Sequence, residues 1–374
     1  MLPLSGLRVA DFTQALSGPY CTMQLADLGA DVVKVERPGH GDDSRTWGPP
    51  FVGDTAAYFL SVNRNKRSVV LDLKTDDGVA AALALAARSD VVVQNWLPGT
   101  AERLGLGYAA VSERAADIVY CAISGYGPEI ALPGYDQVVQ GTSGWMSLTG
   151  APDGPPTKIG VPVGDVATGM FATQAIVAAL VRRERTGAGA HLEVAMQDSL
   201  VAMLVYHAGA FLTTGESPHR NGNEHSTVAP YGTFEVADGY VNLAVGNDRQ
   251  WQRLCAELGR TELATDARFA TNPARSVNRA VLYATLDSLL RTRPAAEVLA
   301  CALAAGVPAG RISTVAESVS DSHLVREVTH PRLGALRSVG SPWRFDGAAP
   351  GVTRPPPDLG QHTQEVVREL ELPR

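Results

Sequence analysis

Short β-rich runs alternate with helical runs through the first half of this 374-residue chain, and no other feature narrows its fold as much. The pattern predicts strands over 7–12, 31–36, 68–73, 90–94 and 117–123, with helices over 20–28 and 79–88. Strands joined through helices pair in parallel, which gives an α/β domain with a largely parallel sheet. Ligands of such sheets bind outside the C-terminal ends of the strands. Thr13 to Gly18, Arg37, Lys74 and Asn95 to Leu97 all fall just after predicted strands, so they converge on one crevice.

A second region starts near Ala229. A hairpin pairing 232–235 with 240–245 through Ala237-Asp238-Gly239 precedes helices around 250–258, 280–290 and 296–305, the pattern of a smaller α+β domain. The expected division is a large domain over 1–200, a linker over 201–228, the small domain over 229–318, and a return to the large domain over 319–374. Residues 330–354 read as a long connection, and Arg354-Pro355-Pro356-Pro357 as a stiff spacer.

Net charge is −7, which argues against nucleic acid as a general partner. An anionic ligand would need a local basic patch, for which Lys34, Arg37, Arg64, Lys66, Arg67, Lys74 and Arg103 are candidates. Cys21, Cys121, Cys255 and Cys301 are too scattered for a zinc site or a disulfide framework and read as buried, reduced thiols. No two histidines stand four apart, so no metal is expected. No run of about 18 uninterrupted apolar residues and no signal-peptide pattern appears, which leads to the expectation of a cytoplasmic protein with no membrane partner.

One carboxylate stands out. Gly160-Val161-Pro162-Val163-Gly164-Asp165 delivers Asp165 out of a Pro/Gly turn onto a long apolar helical run, Met170 to Arg185. At a helix start the macrodipole and unpaired backbone N–H groups favour an ionised carboxylate. That describes an N-cap as well as a nucleophile, and Asp165 alone does not separate the two.

The surroundings resemble a known family. The opening Gly6-Leu7-Arg8-Val9-Ala10-Asp11-Phe12-Thr13, Ser17-Gly18-Pro19 and Leu28 to Pro38 come first. Asn63 to Ser68, Leu71 to Lys74, Asn95 to Gly99 with Arg103, Gly134-Tyr135-Asp136 and Gly164-Asp165 follow. Later come Ala229 to Gly232, Gly306 to Gly310 and Leu359 to Thr363. In this order they resemble the family III CoA-transferases across essentially the whole chain. The resemblance implies a Rossmann-like large domain that is discontinuous, a smaller α+β domain, and two chains interlocked into a homodimer.

It also implies coenzyme A and acyl-CoA as substrates with no permanently bound cofactor, and a carboxylic acid as the second substrate. Asp165 would attack the donor thioester, then carry CoA as an aspartyl thioester. A carboxylate does this without a general base, being already ionised. The implied CoA contacts are Leu16, Ser17, Arg37, Leu71, Lys74, Asn95, Trp96, Leu97 and Arg103. Arginine suits phosphate through its bidentate fork. For Trp96, adenine stacking and plain core packing both stand.

Racemases of the family resemble this chain except for a histidine where Tyr135 stands. A phenol with pKa about 10 is a poor base near neutrality, so Tyr135 favours transfer; the resemblance implies its hydroxyl near the reacting carboxylate, with a half-buried tyrosine at a helix start as the alternative. Formyl-CoA transferase carries a glycine run where this chain has Asn221-Gly222-Asn223-Glu224-His225-Ser226-Thr227, which disfavours oxalate and formate. Glu224 and His225 are candidates for the acyl pocket, with a plain surface loop as the alternative. Succinyl-CoA is the leading donor. A nicotinamide-dependent dehydrogenase would want Gly-x-Gly-x-x-Gly after the first strand, and Thr13-Gln14-Ala15-Leu16-Ser17-Gly18 lacks it.

Overall fold

The computed structural model describes residues 1–320 and 322–371. The chain forms two compact units, one of residues 1–146, 158–216 and 322–374, the other of 147–157 and 217–321.

The first unit is built on six strands, β1 (Arg8–Phe12), β2 (Asp31–Glu36), β3 (Lys66–Val70), β4 (Val91–Gln94), β5 (Val119–Ser124) and β6 (Ala190–Ala195). All neighbours pair in parallel, in the order β3-β2-β1-β4-β5-β6. The expected α/β fold with a parallel sheet is therefore found, and β6 is a strand the sequence reading missed. Both faces are covered, which is why the strands read as nearly continuous valine runs. Val91 and Val93 enter one apolar cluster and Val92 the opposite one. The chain runs outward from β1 to β3, then crosses back to β4 on the other side of β1. At such a reversal, ligands of parallel sheets bind beyond the C-terminal ends of the flanking strands, here β1 and β4.

Helices α1 (Ser17–Asp27), α2 (Ala57–Val62), α3 (Asp76–Ala87), α4 (Thr100–Arg103), α5 (Asp136–Thr142), α6 (Val163–Thr186), α7 (Met196–Ala202) and α8 (Val205–Thr214) belong to the first unit, as does the short helix Tyr108–Ser112. The 24-residue α6 is long and apolar enough to cross a membrane, with mean hydropathy 1.4. Half of that apolar stretch is buried inside the protein, as expected of a core helix. It ends at Gly187, whose left-handed φ of 71° lets its N–H return to the Arg183 carbonyl at 2.7 Å.

Residues 325–339, expected in part as plain connection, instead form a hairpin of Val325–His330 with Gly334–Val339. Its strands are half exposed, and Arg326, Glu327 and Arg337 interrupt the apolar alternation that would have marked them. The last helix, Thr363–Glu371, packs on β3 and α3.

The second unit holds an antiparallel sheet in which Gly239–Ala244 lies between Tyr231–Val236 and Ala309–Arg311. Helices Asp248–Glu257, Arg279–Leu290 and Ala295–Ala305 share its core around Trp251, Phe234 and Leu286. All four cysteines are free thiols. Three are buried as expected, whereas Cys301 is partly exposed.

Candidate active site

Asp165 is the third residue of α6, and Pro162 occupies the N-cap without a side-chain hydrogen bond. Asp165 is thus not the cap that its position in the sequence allowed. Asp136 does that work from α5, accepting the Gly164 N–H on Oδ1 at 2.8 Å. Gly169, one helical turn beyond Asp165 on the same face, fixes how close α1 can come. A Cβ at Gly169 would lie 2.7 Å from the Ser17 carbonyl oxygen and 3.3 Å from the Cys21 nitrogen, so the helices meet backbone to backbone. That contact presents the hydroxyl and N–H of Ser17 to the Asp165 carboxylate.

Burial first, then the neighbouring Asp136 charge, raise the Asp165 carboxyl to about 6, with the Ser17 bonds pulling the other way. The helix end is expected to favour the ionised form of this group; desolvation acts the other way and outweighs it. At pH 7 the group is still ionised by roughly ten to one, and it is more basic than an ordinary aspartate.

The loop that leads to Leu16 and Ser17 is held at Thr13, Gln14 and Ala15. Asp11 Oδ1 accepts from the Thr13 N–H at 2.9 Å and hydroxyl at 2.5 Å, while Lys34 Nζ donates to the Thr13 carbonyl at 2.7 Å. Asn95 binds Gln14 both ways, accepting its N–H at 2.9 Å and donating to its carbonyl at 2.8 Å. Ala15 stands at φ 66°, unusual for a residue with a Cβ, and donates to Asp42 Oδ1 at 3.1 Å. The chain is thereby fixed before α1 begins.

Four of the seven basic candidates are spent on such internal work. Lys34 and Lys66 are fully buried and pair with Asp42 at 2.8 Å and Asp11 at 3.1 Å. Burial pushes the Lys66 ammonium down to about 8 in spite of Asp11 beside it. Arg64 pairs with Asp27 at 2.6 Å, and Arg67 with Asp31, Glu365 and Glu369. A side chain buried among valines needs a partner more than a ligand does, and these found one. Arg37, Lys74 and Arg103 remain on the surface after β2, after β3 and in α4.

Residues 4–363 match the sequence profile of CoA-transferase family III. The chain belongs to the family III CoA-transferases. It is 40% identical to the succinyl-CoA:glutarate CoA-transferase of Mus musculus, over 99% of this chain and 87% of that one. It is 39% identical to the acetyl-CoA:oxalate CoA-transferase of Acetobacter aceti, over 99% and 96%. The crystal structure of a CaiB/BaiF family protein from Brucella suis superimposes with a TM-score of 0.88 at 40% identity, over 99% of each chain.

In this CoA-transferase, Leu16, Ser17, Arg37, Leu71, Asn95, Trp96 and Leu97 all lie at or just past the C-terminal ends of parallel strands, with Lys74 and Arg103 in the segments that follow. Trp96 packs on Phe12, with ring centroids 5.5 Å apart. With Leu97, Tyr120, His191 and Glu193 it also lines a cavity of about 230 Å³. Arg37 is half-exposed, bound to the Gly41 carbonyl at 3.1 Å and paired with Asp43. Arg103 donates to the Thr100 hydroxyl at 3.3 Å.

Tyr135 is 64% exposed at the start of α5, more open than the half-buried alternative. Glu224 and His225 belong to the second unit, where Arg279 bonds the Glu224 carboxylate at 3.3 Å and the His225 carbonyl at 2.7 Å. The sequence reading missed Tyr58 on α2. Burial, then the charges of Asp165, Asp136 and Asp42, push its phenol up to about 12, so it feels the field of both carboxylates. Its ring meets Trp47 edge-on at 5.2 Å. No motif flanks Tyr58, so only the fold reveals it.

Proposed function

We propose that this CoA-transferase moves CoA from succinyl-CoA to a small dicarboxylic acid through covalent intermediates on Asp165. The supporting observation is a partly buried carboxylate, raised to about 6, at a helix start and facing the Ser17 donors. Asp165 attacks the thioester carbonyl, the C–S bond breaks, and a mixed anhydride and CoA thiolate result. The thiolate attacks the aspartyl carbonyl and releases the donor acid, leaving aspartyl-CoA. The acceptor carboxylate attacks that thioester, and the freed thiolate then takes the acceptor's acyl group and restores Asp165. Each addition develops an oxyanion, for which preset donors such as the Ser17 N–H are suited.

In this reading Arg37, Lys74 and Arg103 meet the CoA phosphates, and Leu16, Leu71, Asn95, Trp96 and Leu97 flank the rest. Arg37→Ala and Arg103→Ala are each expected to weaken CoA binding about 3- to 30-fold by calorimetry, with the effect shrinking at high salt. Unchanged affinity in both variants would move the phosphate site. Tyr135 belongs to the acyl end, and Glu224 and His225 stay candidates for contacts with the acyl group. The reading includes a homodimer in the cytoplasm. Helix α8 supports the dimer: none of its residues is buried, and Val205, Tyr206 and Leu212 stand open to solvent.

A racemase would also use Asp165 as a base, but Tyr135 offers no competent second one. The two activities separate in deuterated water. Incubation with (2R)-2-methylacyl-CoA is expected to give neither α-deuterium nor the opposite epimer, while succinyl-CoA with labelled glutarate gives labelled acyl-CoA. Oxalate belongs in the same acceptor panel, given the oxalate enzyme among the relatives. Rapid α-deuteration without acid-dependent transfer would overturn the transferase reading.

A further inference from the structure

We propose that Asp136 is the positioning residue of this site, holding the backbone on both sides of the Gly160–Pro162 turn and setting a second negative charge beside Asp165. The inference rests on Asp165 being the nucleophile.

The geometry joins three points. Asp136 Oδ1 accepts the Gly164 N–H at 2.8 Å, immediately before Asp165. Its Oδ2 accepts from Gln140 Nε2 at 2.8 Å, and the fully buried Gln140 accepts the Ile159 N–H on Oε1 at 2.9 Å. The turn is thus pinned at its entry and its exit by one carboxylate and one amide. Gly164 makes the approach possible, since a Cβ there would lie 3.0 Å from Asp136 Oδ1 and 3.1 Å from Met196 Sδ.

A cap needs only an oxygen, and Asn or Ser supplies one at an N-terminus as well as Asp does. The carboxylate therefore adds something beyond capping: charge next to Asp165. The groups acting on Asp165 are Ser17 from α1, which bonds its ionised form, and Asp136 from α5, which opposes that form; the Tyr58 phenol of α2 feels the charge of both carboxylates. Basicity and nucleophilicity of a carboxylate rise together, so a neighbouring charge makes Asp165 a stronger attacker at the cost of protonating it earlier on the acid side.

The test is the pH dependence of kcat/KM for Asp136→Asn and Asp136→Ser, with Asp136→Glu as the charge-retaining control, each checked for folding by circular dichroism. Both neutral variants keep an acceptor for the Gly164 N–H. The acid limb is expected to move down by about one pH unit in each, with kcat at pH 7.5 falling about 3- to 10-fold and CoA affinity unchanged. Asp136→Glu is expected to keep the limb near its wild-type position. An unmoved limb in whichever neutral variant folds would overturn the inference and leave Asp136 as a cap. Asp165→Asn separates the two levels: its turnover reports on the nucleophile, whereas an inactive Asp165→Asn beside an unshifted Asp136 variant removes only the positioning role.

Discussion

Asp165→Asn is expected to abolish CoA transfer and, at the same time, to make the protein more stable at neutral pH. The amide cannot carry an acyl group, and loss of a covalent nucleophile costs on the order of 10⁴-fold or more in kcat. The stability gain follows from the carboxyl being raised from 3.8 to about 6. A group whose folded pKa lies above its unfolded one destabilises the fold wherever it is ionised. That penalty is fully present above about pH 6 and fades as pH falls through 6 toward 4. Allowing for partial exposure, the neutral variant should gain about 1–3 kcal/mol at pH 7, seen as a higher Tm, and lose that advantage at pH 4. Retained turnover with a lowered Tm would return Asp165 to a structural role.

Arg64→Ala should have the largest effect on folding. Arg64 binds both oxygens of buried Asp27, at 3.1 and 2.6 Å, and reaches the Val339 carbonyl at 2.9 Å. Asn65 and Ser341 complete the set of donors around the same carboxylate. Removing one partner of a buried pair leaves an uncompensated charge, which costs about 3–5 kcal/mol. Urea unfolding should show the loss, and adding Asp27→Asn should recover part of it. CoA affinity of the folded variant should stay at the wild-type value, because Arg64 is occupied inside the protein. A large loss of CoA affinity would instead restore Arg64 to the phosphate site.

The alternation of strands and helices was legible because a two-face-covered parallel sheet demands continuous apolar runs such as Val91-Val92-Val93. The same logic, carried further, would have found Lys34: a lysine inside Asp31-Val32-Val33-Lys34-Val35-Glu36 lies in a strand covered on both faces and must bring its own counter-charge. Read as surface charges, Lys34, Arg64, Lys66 and Arg67 looked like ligands because sequence shows the sign of a charge and not its partner. Strand β6, Ala-His-Leu-Glu-Val-Ala, escaped because its polar alternation belongs to a sheet edge. Asp165 was legible as a helix-start carboxylate. Its environment was not, since the Gly169 contact brings in Ser17, the α5 to α6 turn brings in Asp136, and Tyr58 comes from a third element.

The hydrogen bonds along the outer rim of β3 bear on how this protein is made. As the end strand of the sheet, β3 would present bare amides and carbonyls, a template for any extended chain nearby. Residues 362 and 363 occupy that rim: His362 accepts the Ser68 N–H at 3.2 Å and gives its own to the Ser68 carbonyl at 2.9 Å, while the Thr363 hydroxyl accepts the Val70 N–H at 3.0 Å. Nearly three hundred residues separate lock and key. On the ribosome the sheet can assemble long before its last guard has been translated, so every nascent molecule passes through an interval with one sticky border. Premature termination between the sheet and residue 362 would make that interval permanent, leaving a truncated product that keeps Asp165 and lacks its protection against edge-to-edge association.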